Sequence, residues 1–195
     1  MRLRESDIRV ALEQDIKGHF GDDDTRIIHE MGLCRGQVII DVAAVNGALH
    51  GYEIKSERDT LERLPRQAEI YSRVFDTVTI VTSGCHIPRA TDLIPGWWGV
   101  IQVAAGTADE GAKLQTVREP EINATVDPMS LAQLLWREEV LELLETLGLA
   151  RGFRSKPMNA VWRHLASSIS LDDLKEYVRS TLKSREGWRS DSQQA

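Results

Sequence analysis

Residues 41–71, DVAAVNGALHGYEIKSERDTLERLPRQAEIY, set two acids and a lysine, Asp41, Glu53 and Lys55, around a turn signal at Asn46-Gly47. Asn-Gly between apolar runs is the strongest short-range hairpin signal, because both residues tolerate positive φ. The stretch therefore reads as two paired strands, Gly36 to Val45 and Ala48 to Lys55. Register decides what the charged side chains do. A two-residue turn pairs Asp41 with Tyr52 and sends Glu53 to the opposite face. One extra residue, as a three-residue loop Asn46-Gly47-Ala48 or as a bulge at Gly51, pairs Asp41 with Glu53 and brings Lys55 to the same face. In that register the flanking residues Ala43 and Gly51 are small and are expected to leave open space beside the acids.

Like charges facing each other across a strand pair are destabilising, and two carboxylates at roughly 4 Å repel by about 4 kcal/mol at an effective dielectric of 20. A divalent cation offsets that repulsion. Mg²⁺ takes oxygen ligands, uses one or two protein carboxylates and completes its octahedron with water and phosphate. Lys55 would then stand beside the metal-bound water, so the three residues read as a phosphodiester hydrolysis site.

Working outward, Ile8, Leu12 and Ile16 mark one face of an opening helix over 5–17. Asp22-Asp23-Asp24 reads as a loop, and Thr25 to Met31 as a first strand that makes the hairpin a three-strand meander. A helix from Leu64 or Pro65 to Phe75 follows, with proline tolerated in its first turn. Thr77 to Thr82 and Trp97 to Val103 are two further strands, the former buried by its continuous apolar character. Trp97 and Trp98 would alternate across the second of these, one in the core and one at the rim. Ala104 to Asp127 lacks periodicity and gathers Gly, Thr, Asp and Pro, the signature of a linker or irregular excursion. Beyond it the pattern predicts one helix from Asp127-Pro128 to Leu147, stopped by Gly148, then two shorter helices, the second capped at Ser170. The division expected is a core over 1–125, a helical extension over 126–189 and a tail over 190–195.

Composition narrows the function classes. The net charge of −6 is unusual for a non-specific nucleic-acid coat. Its distribution is uneven: residues 1–150 carry 15 Lys/Arg against 25 Asp/Glu, whereas residues 151–195 carry 9 against 5. Cys34 and Cys85 have no zinc-like or disulfide-framework spacing, and the charged start at Met1-Arg2-Leu3-Arg4-Glu5 is no signal segment. A cytoplasmic protein without membrane association is the expectation.

Asp41, eleven residues, then Glu53-Ile54-Lys55 on consecutive strands after an opening helix resembles the PD-(D/E)XK nuclease superfamily. Gln67-Ala68-Glu69-Ile70-Tyr71 on the next helix is similar to the QxxxY motif of its RecB and phage λ exonuclease branch. Ile40 stands where the motif's proline would be. The stretches GYEIKSERDTLERLPRQ and IPGWWG also look like an uncharacterised bacterial and phage family placed in that superfamily. The resemblance, carried by residues 1 to about 103, implies an α/β, restriction-endonuclease-like core with a mixed sheet, to which the helical pattern further on adds a C-terminal all-α extension. It further implies that Asp41 and Glu53 bind Mg²⁺ or Mn²⁺, that the Ile54 carbonyl adds a ligand, and that Lys55 serves the water. Glu5 and Glu30 are competing candidates for a further metal-shell acid. Gln67 and Tyr71 lie four apart, on one helix face, where such residues help hold the site or the substrate strand.

The activity expected is a metal-dependent deoxyribonuclease, with a catalytically idle nucleic-acid-binding or adaptor module as the alternative. Arg58, Arg63 and Arg66 follow the active-site strand and are candidate phosphate contacts. The cluster Arg151, Arg154, Lys156 and Arg163 is a candidate surface for DNA or another subunit, in a homodimer or a larger nuclease or defence complex.

Overall fold

The structure, a computed structural model, describes residues 3–21, 24–106 and 111–186. The chain opens with α1 (Glu5–Phe20), then β1 (Arg26–Leu33), β2 (Val38–Val45), β3 (Leu49–Lys55), α2 (Leu64–Tyr71) and β4 (Thr77–Ser83). It continues through α3 (Ile87–Leu93), β5 (Gly99–Ala105), β6 (Ala112–Arg118), α4 (Pro128–Ala132), α5 (Arg137–Thr146), α6 (Met158–Ser168) and α7 (Leu171–Ser184). The six strands form one sheet in sequence order, antiparallel except for the parallel pairs β3–β4 and β4–β5. The expected mixed sheet and α/β class are present.

Two apolar cores flank the sheet. On one face Ile8, Leu12 and Ile16 of α1 pack against Val42, Ala44, Tyr52 and Ile54. On the other, Leu64, Ala68 and Tyr71 of α2 meet Ile40, Ala43, Leu49 and Ile80. That second core continues without a break into Leu131, Leu144, Leu165, Leu174 and Val178 of the C-terminal helices. The helices from residue 128 onward thus pack on the sheet side that holds α2. Polar ties add to this: Lys175 pairs with buried Asp76 at 2.7 Å, and Arg26 donates to the Lys183 carbonyl at 3.2 Å.

The hairpin turn is the three-residue loop. Pairs run from Val45↔Leu49 to Val42↔Tyr52, leaving Asn46, Gly47 and Ala48 as the connection. The Asn46 side chain accepts the Ala48 N–H at 3.0 Å and closes it. Gly51 is not a bulge. Nor does it leave open space: a Cβ there would lie 2.6 Å from Ile40 Cδ1 and 3.0 Å from the Phe75 ring. The missing side chain is what lets Phe75, in the turns after α2, and Ile40 of β2 close over β3.

Several sequence expectations need correction. Residues 112–118, read as part of a linker, form edge strand β6, in which only Ala112 and Leu114 pack on the α1-side core. A strand with so few buried positions leaves little apolar periodicity to read. α3 went unread for a similar reason, burying only Ala90. α2 stops at Tyr71 instead of Phe75, because the Asn123 side chain donates to the Ser72 and Phe75 carbonyls at 2.6 and 2.9 Å and holds the chain in turns. The single helix expected over 128–147 is two helices. Buried Arg185 donates to the Leu134 carbonyl at 3.0 Å and to both Glu139 oxygens, while Glu139 accepts the Trp136 N–H at 2.6 Å and starts α5 afresh. Trp97 and Trp98 precede β5 instead of lying in it, with Trp98 fully buried and Trp97 half-buried. Asp22, Asp23 and the tail 190–195 lie outside the described residues.

Candidate active site

The period-2 alternation of β1 and β2 breaks at one place. In β2, Ile40 and Ala43 reach the same core although they are three apart. In β1, Ile28 and Met31 do the same, and the residue between His29↔Val42 and Met31↔Ile40, Glu30, sits at φ 50°. A non-glycine residue in the left-handed region is strained. Glu30 thus faces Asp41 across the ladder, where both strands change face.

Beyond Val42↔Tyr52 the β2–β3 ladder ends. The next β3 amide, Ile54 N–H, donates to the Asp41 side chain at 2.6 Å. The carboxylate therefore occupies the gap where a strand carbonyl would otherwise bond. Because a strand residue's N–H and C=O point to the same side, the Ile54 carbonyl also opens toward this gap. Burial, then the Glu53 charge, push the Asp41 carboxyl up to about 7, against the lowering effect of the Ile54 amide and Lys55.

Glu53 projects on the α2 side of the sheet and is 1% exposed. Its Oε1 accepts from Lys55 Nζ and from Gln67 Nε2, both at 2.5 Å, and its Oε2 accepts from Tyr71 Oη at 2.6 Å. The Tyr71 hydroxyl has a second acceptor in the Ile39 carbonyl at 2.8 Å. Burial, followed by the Glu53 charge, holds that phenol far above its ordinary value, so it remains a donor. The helical spacing of Gln67 and Tyr71 delivers both to one carboxylate, 14 and 18 residues away in the chain. Trp98 stacks on Tyr71, ring centroids 6.0 Å apart and 17° from parallel, and fixes the ring.

Asp41, Glu53, Lys55, Gln67 and Tyr71 are thus brought together. The other candidates are placed differently. Glu5 pairs with Arg9 at 2.7 Å, half exposed, yet its charge still contributes to raising Asp41. Glu30 turns outward to the same Arg9 at 3.5 Å, 68% exposed, and is not part of the cluster. Arg58, Arg63 and Arg66 are exposed in the β3–α2 connection and the first turn of α2. Lys156 is exposed in the α5–α6 loop, where its carbonyl accepts from Arg137. Sequence reading missed three supports: the Ile39 carbonyl, which carries no sequence signal; Thr82, whose hydroxyl holds the Lys55 carbonyl at 2.9 Å; and the Ser56–Asp59 turn after Lys55.

Whether these residues suit a hard cation can be asked of their free atoms. Asp41 uses only Oδ2 and Glu53 Oε2 has one donor, so each retains acceptor capacity beside the Ile54 carbonyl. Gln67 Oε1 is buried without any hydrogen-bond partner. Flipping the amide would aim this oxygen at the Glu53 carboxylate, so the donor contact to Glu53 fixes the amide in this orientation. The all-oxygen set fits Mg²⁺ or Mn²⁺ chemistry with most positions left to water and substrate. Among the described residues no group of three or more His, Cys, Asp or Glu side chains comes together as ligands.

Comparison with known proteins gives a family. Protein cII of Enterobacteria phage P4 is 26% identical over 183 residues, 94% of this chain and 68% of the phage protein. A Silicibacter pomeroyi protein of unknown function is similar in structure at TM-score 0.47 and 16% identity, over 77% of this chain and 94% of that one, a likeness too low to carry an argument. The family model described as Bacteriophage P4 protein cII matches residues 1–194, and the chain belongs to that family.

Proposed function

We propose that the chain is a metal-dependent nuclease that hydrolyses phosphodiester bonds of DNA, in repair, recombination or a phage-related process in the cytoplasm. The observation that carries the reading is the convergence of Lys55, Gln67 and Tyr71 on the buried Glu53 carboxylate beside an Asp41 that resists ionisation. A buried ion pair of this kind contributes little net stability, since desolvation offsets most of its attraction. Asp41, Glu53 and the Ile54 carbonyl would hold Mg²⁺ or Mn²⁺, which when bound supplies an acidified water and a Lewis acid for the phosphate. Lys55 orients the attacking water and steadies charge on the phosphate oxygens. Gln67 and Tyr71 keep Glu53 in position as the Lys55 contact rearranges. Arg58, Arg63 and Arg66 are assigned to the strand's phosphates, since exposed arginines suit such contacts. Among the described residues no helix is long and apolar enough to cross a membrane.

The second reading is an idle nuclease-like binding or adaptor module. The Lys55 ammonium on Glu53, which balances the carboxylate charge without a metal, favours it. Incubation of linear, nicked, branched and single-stranded DNA with the protein and Mg²⁺ or Mn²⁺, against Lys55→Ala, separates the two. Metal-dependent cleavage lost in the variant supports the nuclease; DNA binding without cleavage or metal affinity supports the adaptor.

A further inference from the structure

On the sheet face opposite Glu53, the last turn of α1 and the β6 edge enclose a cavity of about 330 Å³. That lies within the size range of small-ligand sites. It is separated from the Glu53 cluster by the sheet itself: Tyr52 of its floor is the chain neighbour of Glu53 and points to the α1 side, while Glu53 points to the α2 side.

The floor of this cavity is polar where a sheet face would ordinarily be apolar. Tyr52 is 8% exposed and Thr79 4%, and neither hydroxyl makes a hydrogen bond among the described residues. Both side chains line the cavity, and their hydroxyls keep hydrogen-bonding capacity for a polar ligand that enters. Burial first, then Asp15 and Glu119, push the Tyr52 phenol far up. Two carboxylates therefore face it, Asp15 from α1 and Glu119 from just beyond β6. Arg118 lines the same cavity, but its guanidinium is occupied at the backbone, donating to the Trp98 carbonyl at 2.6 Å and the Pro95 carbonyl at 3.4 Å.

The wall is aromatic. Phe20 stacks on His50 at 4.7 Å and 25°, and burial pushes that imidazole below its ordinary value, so the pair is uncharged at neutral pH. Both His50 nitrogens are used, at Thr77 Oγ1 (2.7 Å) and Asn46 Oδ1 (3.2 Å), so the ring is a fixed surface.

We propose that this cavity binds a small organic amine, its ammonium group between Asp15 and Glu119 at the Tyr52 oxygen and its apolar body against Phe20, Ile101 and Pro120. An ammonium supplies donors to the floor hydroxyl oxygens and the two carboxylates, and aromatic faces attract it further. An anion of the same shape would meet two carboxylates against the one Arg118 guanidinium, and a neutral alcohol would gain no charge-assisted contact. This goes beyond the nuclease reading and does not depend on it.

The probe is 2-phenylethylamine, titrated into the full-length protein and followed by amide and isoleucine-methyl NMR shifts, with phenylacetate and 2-phenylethanol as comparators. Saturable shifts centred on Ile16, His50, Thr79 and Ile101 are expected, with the comparators weaker by at least about tenfold. Asp15 and Glu119 are exposed, so Asp15→Asn with Glu119→Gln keeps the fold and weakens the amine by about tenfold or more. Tyr52→Phe weakens it several-fold. No saturable shift at these residues up to about 10 mM, phenylacetate binding as well as the amine, or an unchanged affinity in the double variant would each overturn the proposal.

Discussion

The Asp41 carboxylate accepts the Ile54 N–H at 2.6 Å, closing with a side chain the ladder that β2 and β3 leave open. One contact thereby fixes the first acid of the site, aims the Ile54 carbonyl at the same gap and buries a charge beside Glu53. The consequences can be measured.

Asp41 governs the pH dependence of the metal-free protein. Its carboxyl rises from 3.8 to about 7 on folding, so the folded state binds the proton more tightly than the unfolded one. The Asp41 contribution must then fall as pH rises from about 4 to about 7 and level off above, the opposite of a salt-bridged acid, while the opposing contribution of His50 is common to the wild type and an Asp41 variant. Asp41→Asn still accepts the Ile54 amide and removes the charge. It should leave the protein more stable than wild type by about 2 kcal/mol at pH 8, with the gap closing toward pH 4. Denaturant melts at both pH values, without metal, check this; a variant less stable at pH 8 contradicts the burial argument.

Metal should reverse that penalty. Adding Mg²⁺ or Mn²⁺ near pH 6.5 should stabilise the wild type more than Asp41→Asn and release a proton from Asp41, because the metal competes for the same oxygens. Calorimetry in buffers of different ionisation enthalpy reads the proton directly. Heat that is independent of buffer argues against Asp41 as a ligand.

Lys55→Ala should lower DNA cleavage by at least about 100-fold, the scale of a lost charge-stabilising group. Folding should survive, since the substitution leaves Glu53 with the Gln67 and Tyr71 donors. Circular dichroism and cleavage assays on the same preparation distinguish lost chemistry from lost structure.

Glu30→Gly separates the two candidate outer acids. Glycine removes the cost of φ 50° and gives up only an exposed 3.5 Å contact with Arg9, so stability should rise by about 1 kcal/mol with cleavage unchanged. Reduced cleavage at unchanged fold would return Glu30 to the site.

Gly51→Ala tests the packing that replaced the expected open space. A methyl 2.6 Å from Ile40 Cδ1 and 3.0 Å from the Phe75 ring makes the Ile40 side chain turn aside and the Phe75 ring give by a few tenths of an ångström, and should cost about 1 kcal/mol. Chemical denaturation measures it; a neutral effect would mean the core around Phe75 yields easily.

Local chemistry explains what could be read from the sequence. Asn46-Gly47 announced the hairpin, the Ile8, Leu12 and Ile16 stripe announced α1, and the four-residue step from Gln67 to Tyr71 placed both on one helix face. Each is a signal between near neighbours, where spacing alone fixes direction. The tertiary structure decided the rest. It chose the three-residue loop over the Gly51 bulge, filled the space beside Gly51 with Ile40 and Phe75, turned Glu30 out to Arg9, and split α4 from α5 through Arg185. These outcomes depend on groups far apart in the chain competing for the same carbonyl, cavity or charge, and only packing settles such a competition.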